Sequence, residues 1–347
     1  MIEKLDKKPK VALIIDKEGW AFYNAAKQIK KYLNEFYEID IISMEIFGDN
    51  VVKLFLLGSE YDLMFFMWRG IISWVYSEYS RHYINELGFE FDEFLEQYIK
   101  NKNILTGIYD HLFIKNESER TNFILDNIKS YIVCSKKLEE IYNNYPSSKK
   151  PSMIISDGVD LELFKMNNIS KYNNIENRTI KLGWTGNSKF SDDEDDDLKG
   201  LKKIILPAIK ELKDEGYDIV LKIADRNIKM IPHNEMPNYY NDIDIYICAS
   251  RTEGHPDPIL EAMACGDAII STDVGIVNEV LGEKQKNFII ERYKEELKKK
   301  IIYLYNNKYK IKELSEENLQ QIKNWSWKNK ANLYKKFFDK NILEKGK

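Results

Sequence analysis

The feature that most constrains this chain is a segment, residues 251–270, in which two glutamates enclose a loop and the start of a short helix pattern. Glu253 and Glu261 are separated by seven residues. Apolar, strand-like runs lie directly before and after the segment, at residues 243–248 and 268–271. This order of strand, loop, helix and strand places the loop at the carboxyl ends of parallel strands, where α/β proteins bind ligands.

The start of the helix inside this segment favours an anionic ligand. We expect Asp257 to cap the helix and Pro258 to occupy its first turn, where a missing N–H costs nothing. The free N–H groups of the helix amino terminus would then face the loop with a partial positive charge, which suits a phosphate. Without a ligand, Glu261 would still gain from this helix dipole, so its position alone does not prove a site.

Strand and helix patterns alternate along the whole chain. Helix patterns such as those at residues 20–34 and 201–215 separate short apolar runs. The predicted strands are residues 11–15, 39–42, 62–68, 104–109, 130–134, 153–155, 179–184, 218–224, 243–248, 268–271 and 288–290. Such alternation predicts an α/β fold with doubly wound parallel sheets, and 347 residues are enough for two domains with a cleft between them.

A change in composition marks the expected domain boundary. A turn cluster at residues 156–160 is followed by the asparagine-rich stretch 166–178. We therefore expect a first domain over residues 1–160 and a second over residues 161–325.

Composition and missing motifs exclude several classes of function. A net charge of −4 gives no basic footprint for nucleic acid. No Gly-x-Gly-x-x-Gly follows the first strand, which disfavours a nicotinamide cofactor. No signal peptide or membrane-spanning run is recognisable, so we expect a cytoplasmic protein, with contact at the inner face of the membrane left open through Lys27, Lys30 and Lys31. Ordinary solubility of the first helix explains these lysines slightly better.

Two further features have plain structural explanations. The cysteines at 134, 248 and 265 are widely spaced and lie in or beside apolar patterns, which predicts buried, reduced thiols. The six consecutive acids Asp192–Asp197 contain a spacing that could hold a divalent metal. We favour a solvated loop instead, because like charges in a row repel one another. We expect no metal and no other cofactor.

Charged residues at predicted loop positions are further candidates. Arg69, Asp110 and His111 follow the third and fourth strands of the first half. For Arg69 a local carboxylate partner is the simpler explanation, and for His111 a packing role is. Lys199 would stand at a helix amino terminus, where its charge could clamp a phosphate, although most lysines simply lie on the surface.

Several motifs together resemble the family 4 retaining glycosyltransferases of the GT-B fold, which have two Rossmann-like domains facing across a cleft. The resemblance is specific in the second half of the chain. It rests on Glu253-Gly-His-Pro-Asp-Pro-Ile-Leu-Glu261, Asp157-Gly-Val-Asp160, Lys199-Gly200 and Trp325-Ser-Trp327. The last motif is similar to the element before a final helix, here residues 326–347, that crosses back to the first domain. The first half matches in pattern only.

The resemblance implies a role for each matching residue. Glu261 would bind the ribose hydroxyls of a nucleotide-sugar, and Glu253 would lie near the donor sugar. The backbone amides of Gly254 and His255, together with Lys199, would stabilise the departing diphosphate. His111 matches a histidine that many members place beside the donor sugar, so we expect catalytic roles for His111, Lys199 and Glu253.

The remaining expected contacts complete the donor site. Gly186, Asn187 and Pro256 would line it, with Gly186 allowing close backbone approach. Asn187 stands where the family usually has arginine, so phosphate binding would rely on Lys199 alone or on Lys189, which is nearby but has no counterpart in the motifs. Arg69 and Asp110 have no counterpart in the motifs and are candidates for the acceptor side.

The expected function is therefore retaining transfer of a sugar from a nucleoside-diphosphate sugar to an acceptor hydroxyl, independent of metal. Its setting would be synthesis of a glycan, a cell-surface polysaccharide or a glycolipid, with a glycan or lipid-linked acceptor. Two alternatives remain open: a nucleotide-sugar epimerase of the same fold, and a sugar-binding protein without catalytic activity.

Overall fold

The computed structural model describes residues 7–48, 50–111, 113–114, 118–168, 170–189 and 196–343. The chain divides into two compact units. The first unit comprises residues 1–157 and 327–347, and the second comprises residues 158–326. Each unit is built around a parallel sheet of its own.

The first unit contains a six-stranded sheet in the order β2-β1-β3-β4-β5-β6. All neighbouring strands in it are parallel. The central strands are apolar runs with every residue buried, as expected for strands covered on both faces. The strands are β1 (Lys10–Ile15), β2 (Glu38–Ser43), β3 (Leu63–Phe66), β4 (Ile104–Ile108), β5 (Ser130–Val133) and β6 (Met153–Ile154).

Helices cover this sheet, and the last helix of the chain is one of them. Tyr334 and Phe337 of that helix pack edge-on against Phe65 of β3, with ring centroids 5.7 and 6.3 Å apart. The final helix is thereby part of the core of the first unit. The α-helices of this unit span Ala21–Leu33, Val51–Leu57, Gly70–Ser73, Glu78–Glu86, Phe91–Leu95, Ser118–Asn127, Lys136–Asn144 and Trp327–Leu343.

The second unit contains a five-stranded parallel sheet in the order β11-β10-β9-β7-β8. Its strands are β7 (Ile180–Gly186), β8 (Ile219–Asp225), β9 (Ile245–Cys248), β10 (Ala268–Thr272) and β11 (Ile289–Ile290). Its α-helices span Leu206–Asp214, Met236–Asn241, Asp257–Ala264, Val277–Val280, Lys294–Asn306 and Tyr309–Gln321.

Two elements of the second unit differ from the sequence prediction. The helix expected over 201–215 begins with a π-helical turn, Leu201–Ile205, before α-helix starts at Leu206. Pro207 accounts for this, because its missing N–H interrupts the regular hydrogen-bond ladder. Phe288, predicted as the start of a strand, instead ends the 3₁₀ helix Gln285–Phe288, and β11 keeps only two residues.

Both sheets share one connectivity over their first five strands. Counted within its own unit, the first sheet has the strand order 2-1-3-4-5-6 and the second has the order 2-1-3-4-5. The order reverses direction between β1 and β3 in the first unit and between β7 and β9 in the second. In doubly wound folds, ligands bind outside the carboxyl ends of the strands at this reversal. The carboxyl ends of β7 and β9 are therefore the place to look for a site in the second unit.

The opposite, amino edge of the second sheet holds two ion pairs. The pair Lys171–Asp267 is buried, and the pair Arg178–Asp244 is partly exposed at Arg178. Arg178 donates two hydrogen bonds of 2.7 Å to Asp244, which directly precedes β9. The Lys171 ammonium lies 2.5 Å from Asp267, which directly precedes β10. Burial raises the pKa of Asp267 to about 7, although the Lys171 charge opposes that shift. These charges are engaged with one another beneath the sheet.

Within the described ranges, no helix is long and apolar enough to cross a lipid bilayer.

Candidate functional site

The loop that follows β9 runs into the helix Asp257–Ala264 at the carboxyl edge of the second sheet. The expectation that Asp257 caps this helix is wrong, because Pro256 holds the cap position and Asp257 is the first helical residue. The Asp257 carboxylate instead lies 2.7 Å from Nδ1 of His255. The aspartate thus fixes the His255 ring, and Pro258 lies in the first turn as predicted.

Lys199 and Glu253 meet at the same edge. The Lys199 ammonium donates to Glu253 Oε1 at 2.5 Å, and the Ser250 hydroxyl donates to the same oxygen at 2.7 Å. The side chains of Lys199 and Glu253 are 21% and 17% exposed, so this ion pair still reaches solvent. A phosphate arriving here would meet an ammonium already held in place by a carboxylate that it can displace.

Gly200 explains why Lys199 lies so close to the strand end. Its φ of +74° is the left-handed conformation, and an added Cβ would come within 2.3 Å of the Ala249 carbonyl oxygen. Only glycine allows the backbone to approach β9 in this way. The Lys-Gly pair of the sequence motif therefore has a conformational reason as well as a chemical one.

Glu261 is held by two side chains. Its Oε2 accepts a 2.7 Å hydrogen bond from the Tyr240 hydroxyl, and its Oε1 lies 2.9 Å from Nε2 of His233. Tyr240 is completely buried, and burial, reinforced by the Glu261 charge, raises the pKa of its hydroxyl well above the ordinary value. Tyr240 is thus a permanent donor to Glu261. A carboxylate has about four acceptor positions, so Glu261 can still accept hydrogen bonds from a ligand.

His233 and Tyr240 were missed as site residues by the sequence analysis. Phe164 packs edge-on against the His233 ring, with centroids 5.1 Å apart, and so sets the ring's orientation. The available signal was the scarcity of histidine, since the chain contains four, of which His255 lies inside the paired-glutamate segment and His233 precedes that segment. Tyr240 gave no such signal, because the chain contains 22 tyrosines and this one lies in an apolar helix pattern.

The residues that follow β7 form a hydrogen-bond network with residues at the end of β8. The side-chain oxygen of Asn187 accepts from the Lys189 N–H at 2.9 Å and from the Asn227 side-chain amide. Asp225, at the end of β8, accepts from the backbone N–H groups of Ser188 at 3.2 Å and Asn227 at 3.0 Å. Burial favours a higher pKa for Asp225, but the hydrogen bonds from Ser188 and Asn227 outweigh it and lower the pKa. Asn187 is thus a structural member of this turn.

Gly186 also has a structural explanation. A Cβ at this position would lie 2.8 Å from the ring of Trp184, two residues earlier on the same face of β7. Trp184 is buried, so its ring has little freedom to move away. The glycine is required here by the tryptophan, in addition to any contact with a ligand.

In the first unit, Arg69 and Asp110 form a fork-to-fork ion pair beyond β3 and β4. The guanidinium donates hydrogen bonds of 3.0 and 2.5 Å to the two carboxylate oxygens. Arg69 is 2% exposed, and its pKa is raised because hydrogen bonding and charge from Asp110 outweigh desolvation. The Phe113 ring lies 4.3 Å from the guanidinium carbon. The local carboxylate partner foreseen for Arg69 therefore exists.

His111 follows this pair directly. Its residue is half-buried, and its backbone carbonyl accepts the Ile114 N–H at 3.2 Å. The Asp110 carbonyl is tied to the Tyr142 hydroxyl at 3.3 Å. The Arg69–Asp110 pair and Tyr142 thus anchor the backbone from which the His111 side chain projects.

Part of the acidic run at residues 192–197 lies within the described residues. Asp192–Asp195 lie outside the described residues. Asp196 pairs with Arg251 at 2.8 Å, and Asp197 accepts the Lys203 N–H at 2.7 Å.

The thiols predicted to be buried and reduced are confirmed as buried, free cysteines at 134, 248 and 265.

A comparison with known protein families finds a match in the second unit. Residues 210–324 match the family model described as "Glycosyl transferases group 1". The matched range includes both Glu253 and Glu261 and lies entirely within the second unit. It covers about a third of the chain.

Curated proteins match parts of the chain. The lipopolysaccharide core biosynthesis mannosyltransferase LpsB of Rhizobium meliloti is 34% identical over 70 residues, which is 20% of each chain. Protein CapJ of Staphylococcus aureus is 27% identical over 240 residues, covering 59% of this chain and 56% of CapJ. The chain therefore spans about half or less of these relatives. A further match, over 95 residues at 30% identity, is an uncharacterized glycosyltransferase of Methanocaldococcus jannaschii.

Solved structures match over nearly the whole chain. Sucrose-phosphate synthase from Thermosynechococcus elongatus has a TM-score of 0.68 at 13% identity, covering 97% of this chain and 100% of that one. Anabaena Alr3699/HepE, in complex with UDP and glucose, has a TM-score of 0.66 at 11% identity, covering 96% and 100%. At such identities the likeness concerns the fold alone. The predicted GT-B fold class, with two parallel-sheet α/β units, is confirmed.

Proposed function

We propose that this protein is a retaining glycosyltransferase of family 4, which transfers a sugar from a nucleoside-diphosphate sugar to an acceptor hydroxyl. The observation that carries the proposal is Glu261, a carboxylate held by Tyr240 and His233 at the carboxyl edge of a doubly wound sheet. It lies inside the range that matches the group 1 glycosyl transferases. A fixed carboxylate with spare acceptor positions suits the two neighbouring hydroxyls of a ribose.

The diphosphate would lie between Glu261 and Lys199. Breaking the sugar–phosphate bond builds negative charge on the leaving diphosphate, so fixed donors placed there lower the barrier most. Lys199, the amides of Gly254 and His255, and the amino terminus of the helix Asp257–Ala264 would supply these donors. This donor set would neutralise the leaving group without a metal ion.

Glu253 would change partner during the reaction. In the absence of a ligand it binds Lys199 at 2.5 Å. A bound diphosphate would take over the ammonium and leave Glu253, still held by Ser250, beside the donor sugar. Pro256, Gly186 and Asn187 would complete the lining of the donor site.

The remaining roles are assigned by proposal to the first unit. His111 would lie beside the donor sugar, and Arg69 with Asp110 would support the acceptor side by holding its backbone. We propose attack by the acceptor from the same face as the leaving group, with a diphosphate oxygen taking the acceptor proton. This route retains the anomeric configuration without a covalent glycosyl-enzyme.

The names of the relatives and neighbours support a proposal for the donor and the setting. Alr3699/HepE is solved with UDP-glucose, and LpsB is named for lipopolysaccharide core biosynthesis. We propose by analogy a nucleotide-sugar donor and an acceptor that is a glycan or a lipid-linked glycan, in the synthesis of a surface polysaccharide or glycolipid. Work at the cytoplasmic face of the membrane would fit such an acceptor.

Slow hydrolysis of the donor tests this function without knowledge of the acceptor. The protein is incubated with a panel of radiolabelled nucleotide-sugars, and the products are separated by chromatography. Release of free sugar by the wild type, lost in E261A and kept in the matched surface variant E316A, is the expected result. Conversion into a different nucleotide-sugar would instead indicate an epimerase, and binding without any turnover would indicate a protein without catalytic activity.

A further inference from the structure

A cavity separate from the proposed donor site lies in the second unit, at the end of its sheet that is bordered by β11. It has a volume of about 470 Å³, which lies within the usual range for small-molecule sites. The helices Lys294–Asn306 and Tyr309–Gln321 form two of its walls, and the 3₁₀ helix Gln285–Phe288 forms the third. None of the proposed donor-site residues lines it.

Four lysines and two aromatic rings define this cavity, which we call the lysine pocket. Lys299, Lys300 and Tyr303 come from one helix and Lys310 from the next, while Lys284 and Phe288 come from the 3₁₀ segment. The only acid in its lining is Glu313. Four ammonium groups against one carboxylate leave an excess of three positive charges around one small volume.

The carboxylates near the pocket are already engaged. Glu313 accepts from Lys310 at 2.9 Å. Glu317 accepts the backbone N–H groups of Lys284 at 3.1 Å and Gln285 at 2.8 Å. Among the described residues, no carboxylate lies within salt-bridge distance of the Lys284 ammonium, so its charge is not balanced by direct contact.

Lys284 and Lys310 nevertheless act on the same group. The pKa of Glu313 is lowered first by its hydrogen bond to Lys310, and the charge of Lys284 lowers it further. Lys299 has only a long contact, 3.7 Å, to the exposed Glu296. Lys300 is different, because its ammonium donates to the Asn287 carbonyl at 2.6 Å and so has a structural partner.

The frame of the pocket is rigid. Gln285 is fully buried and exchanges hydrogen bonds with the backbone of Ile269 in β10, at 3.1 and 2.6 Å. Asn318 donates to the Gln285 side chain at 2.8 Å. These bonds fix the 3₁₀ segment against both the sheet and the helix Tyr309–Gln321. The lysines therefore stand on a preformed surface.

We propose that the lysine pocket binds a phosphate-bearing ligand, such as a diphosphate or a phospholipid head group. Ammonium groups are point charges that bind phosphate oxygens with charge-assisted hydrogen bonds. The rings of Phe288 and Tyr303, whose centroids are 6.0 Å apart, offer an apolar wall for the part of the ligand next to the phosphate. This site is independent of the proposed glycosyl transfer and does not require it.

Titration calorimetry with inorganic pyrophosphate at low salt tests the pocket. The test variant K284Q/K299Q removes the two lysines without close structural partners. The control K210Q/K213Q removes the same charge from an exposed helix of the same unit, and K199Q removes the phosphate contact of the proposed donor site. We expect K284Q/K299Q to weaken one class of pyrophosphate site about tenfold, while K210Q/K213Q and K199Q leave that class intact.

Two outcomes for the lysine-pocket variant and its charge-matched control overturn the proposal. One is pyrophosphate binding that is unchanged in K284Q/K299Q, and the other is binding lost equally in the charge-matched control. Loss confined to K199Q would mean that pyrophosphate binds only at the proposed donor site, and would also overturn the pocket. A failure of the proposed function, seen as no effect of K199Q, leaves the pocket's own test unaffected.

Vesicle sedimentation distinguishes the two sources of phosphate. The same proteins are mixed with phosphatidylcholine vesicles, with and without about 30% phosphatidylglycerol. Binding to the anionic vesicles that is lost in K284Q/K299Q supports a lipid head group. Pyrophosphate binding without vesicle binding supports a soluble phosphate compound. If the protein binds neither pyrophosphate nor the anionic vesicles, the proposal is overturned.

Discussion

The two sheets share the order of their first five strands, but each carries a buried, ion-paired cation at the opposite edge: Arg69 in the first unit and Lys171 in the second. In the first unit the pair Arg69–Asp110 lies at the carboxyl edge, beyond β3 and β4. In the second unit the pair Lys171–Asp267 lies at the amino edge, and the carboxyl edge carries the partly exposed pair Lys199–Glu253.

This difference separates stability from ligand binding in the second unit. The Lys171 and Asp267 side chains at the amino edge are buried and paired with each other, whereas those of Lys199 and Glu253 at the carboxyl edge remain within reach of solvent. In the first unit, the carboxyl edge would serve both stability and acceptor binding. Arg69 and Asp110, which we expect on the acceptor side, also form an ion pair in which Arg69 is buried. Substitutions at the two edges of the second unit should therefore have separable effects, and those in the first unit should not.

The largest effect is expected at the amino edge of the second sheet. D267A would leave the Lys171 ammonium, 4% exposed, without its partner, so we expect a loss of about 3–5 kcal/mol in the free energy of unfolding. Urea denaturation followed by circular dichroism measures this. E211A, which breaks exposed ion pairs with Lys294 and Lys298, is the control and should leave stability unchanged. Equal stability of D267A and wild type would contradict the account.

The buried pair of the first unit should come next. R69M would leave Asp110, whose side chain is 30% exposed, without its fork of donors, and we expect a loss of about 3 kcal/mol. The double variant R69M/D110N should recover part of this loss, because it removes the unpaired charge as well. A fully stable R69M would mean that the pair serves binding alone.

At the carboxyl edge, activity should change while stability does not. K199Q removes the proposed counter-charge of the leaving diphosphate, so we expect kcat for donor hydrolysis to fall about a hundredfold. The neighbouring exposed lysine provides the control, K202Q, which should behave as wild type. If K199Q lowered the unfolding midpoint as much as D267A, the separation of the two edges would be wrong.

The smallest effect concerns the support of Glu261. Y240F deletes one hydrogen bond to a charged acceptor, and we expect the Michaelis constant for the donor to rise about tenfold with kcat nearly unchanged. Y246F is matched to it, because Tyr246 is equally buried but donates to or accepts from Thr185 instead. Equal Michaelis constants for Y240F and Y246F would show that Tyr240 merely packs.

The distance along the chain between contacting residues explains which features the sequence could predict. The strands of both sheets follow from apolar runs, and the Glu253–Glu261 segment follows from its spacing, because both patterns are local. The contact of Lys199 with Glu253 joins residues 54 positions apart, and that of Tyr240 with Glu261 joins residues 21 apart. Such partners depend on how the strands are ordered. The cap at Pro256 was missed for a local reason, since His255 competes for the Asp257 carboxylate.

The central claim is that Glu261 binds the ribose of a nucleotide at the carboxyl edge of the second sheet. The most direct measurement is calorimetric titration with whichever of UDP, ADP and GDP binds most tightly, and with its 2′,3′-dideoxy analogue. We expect E261Q to weaken binding of the natural nucleotide about 10- to 100-fold and to leave binding of the dideoxy analogue unchanged. Equal weakening of both nucleotides, or none, would contradict a contact between Glu261 and the ribose hydroxyls.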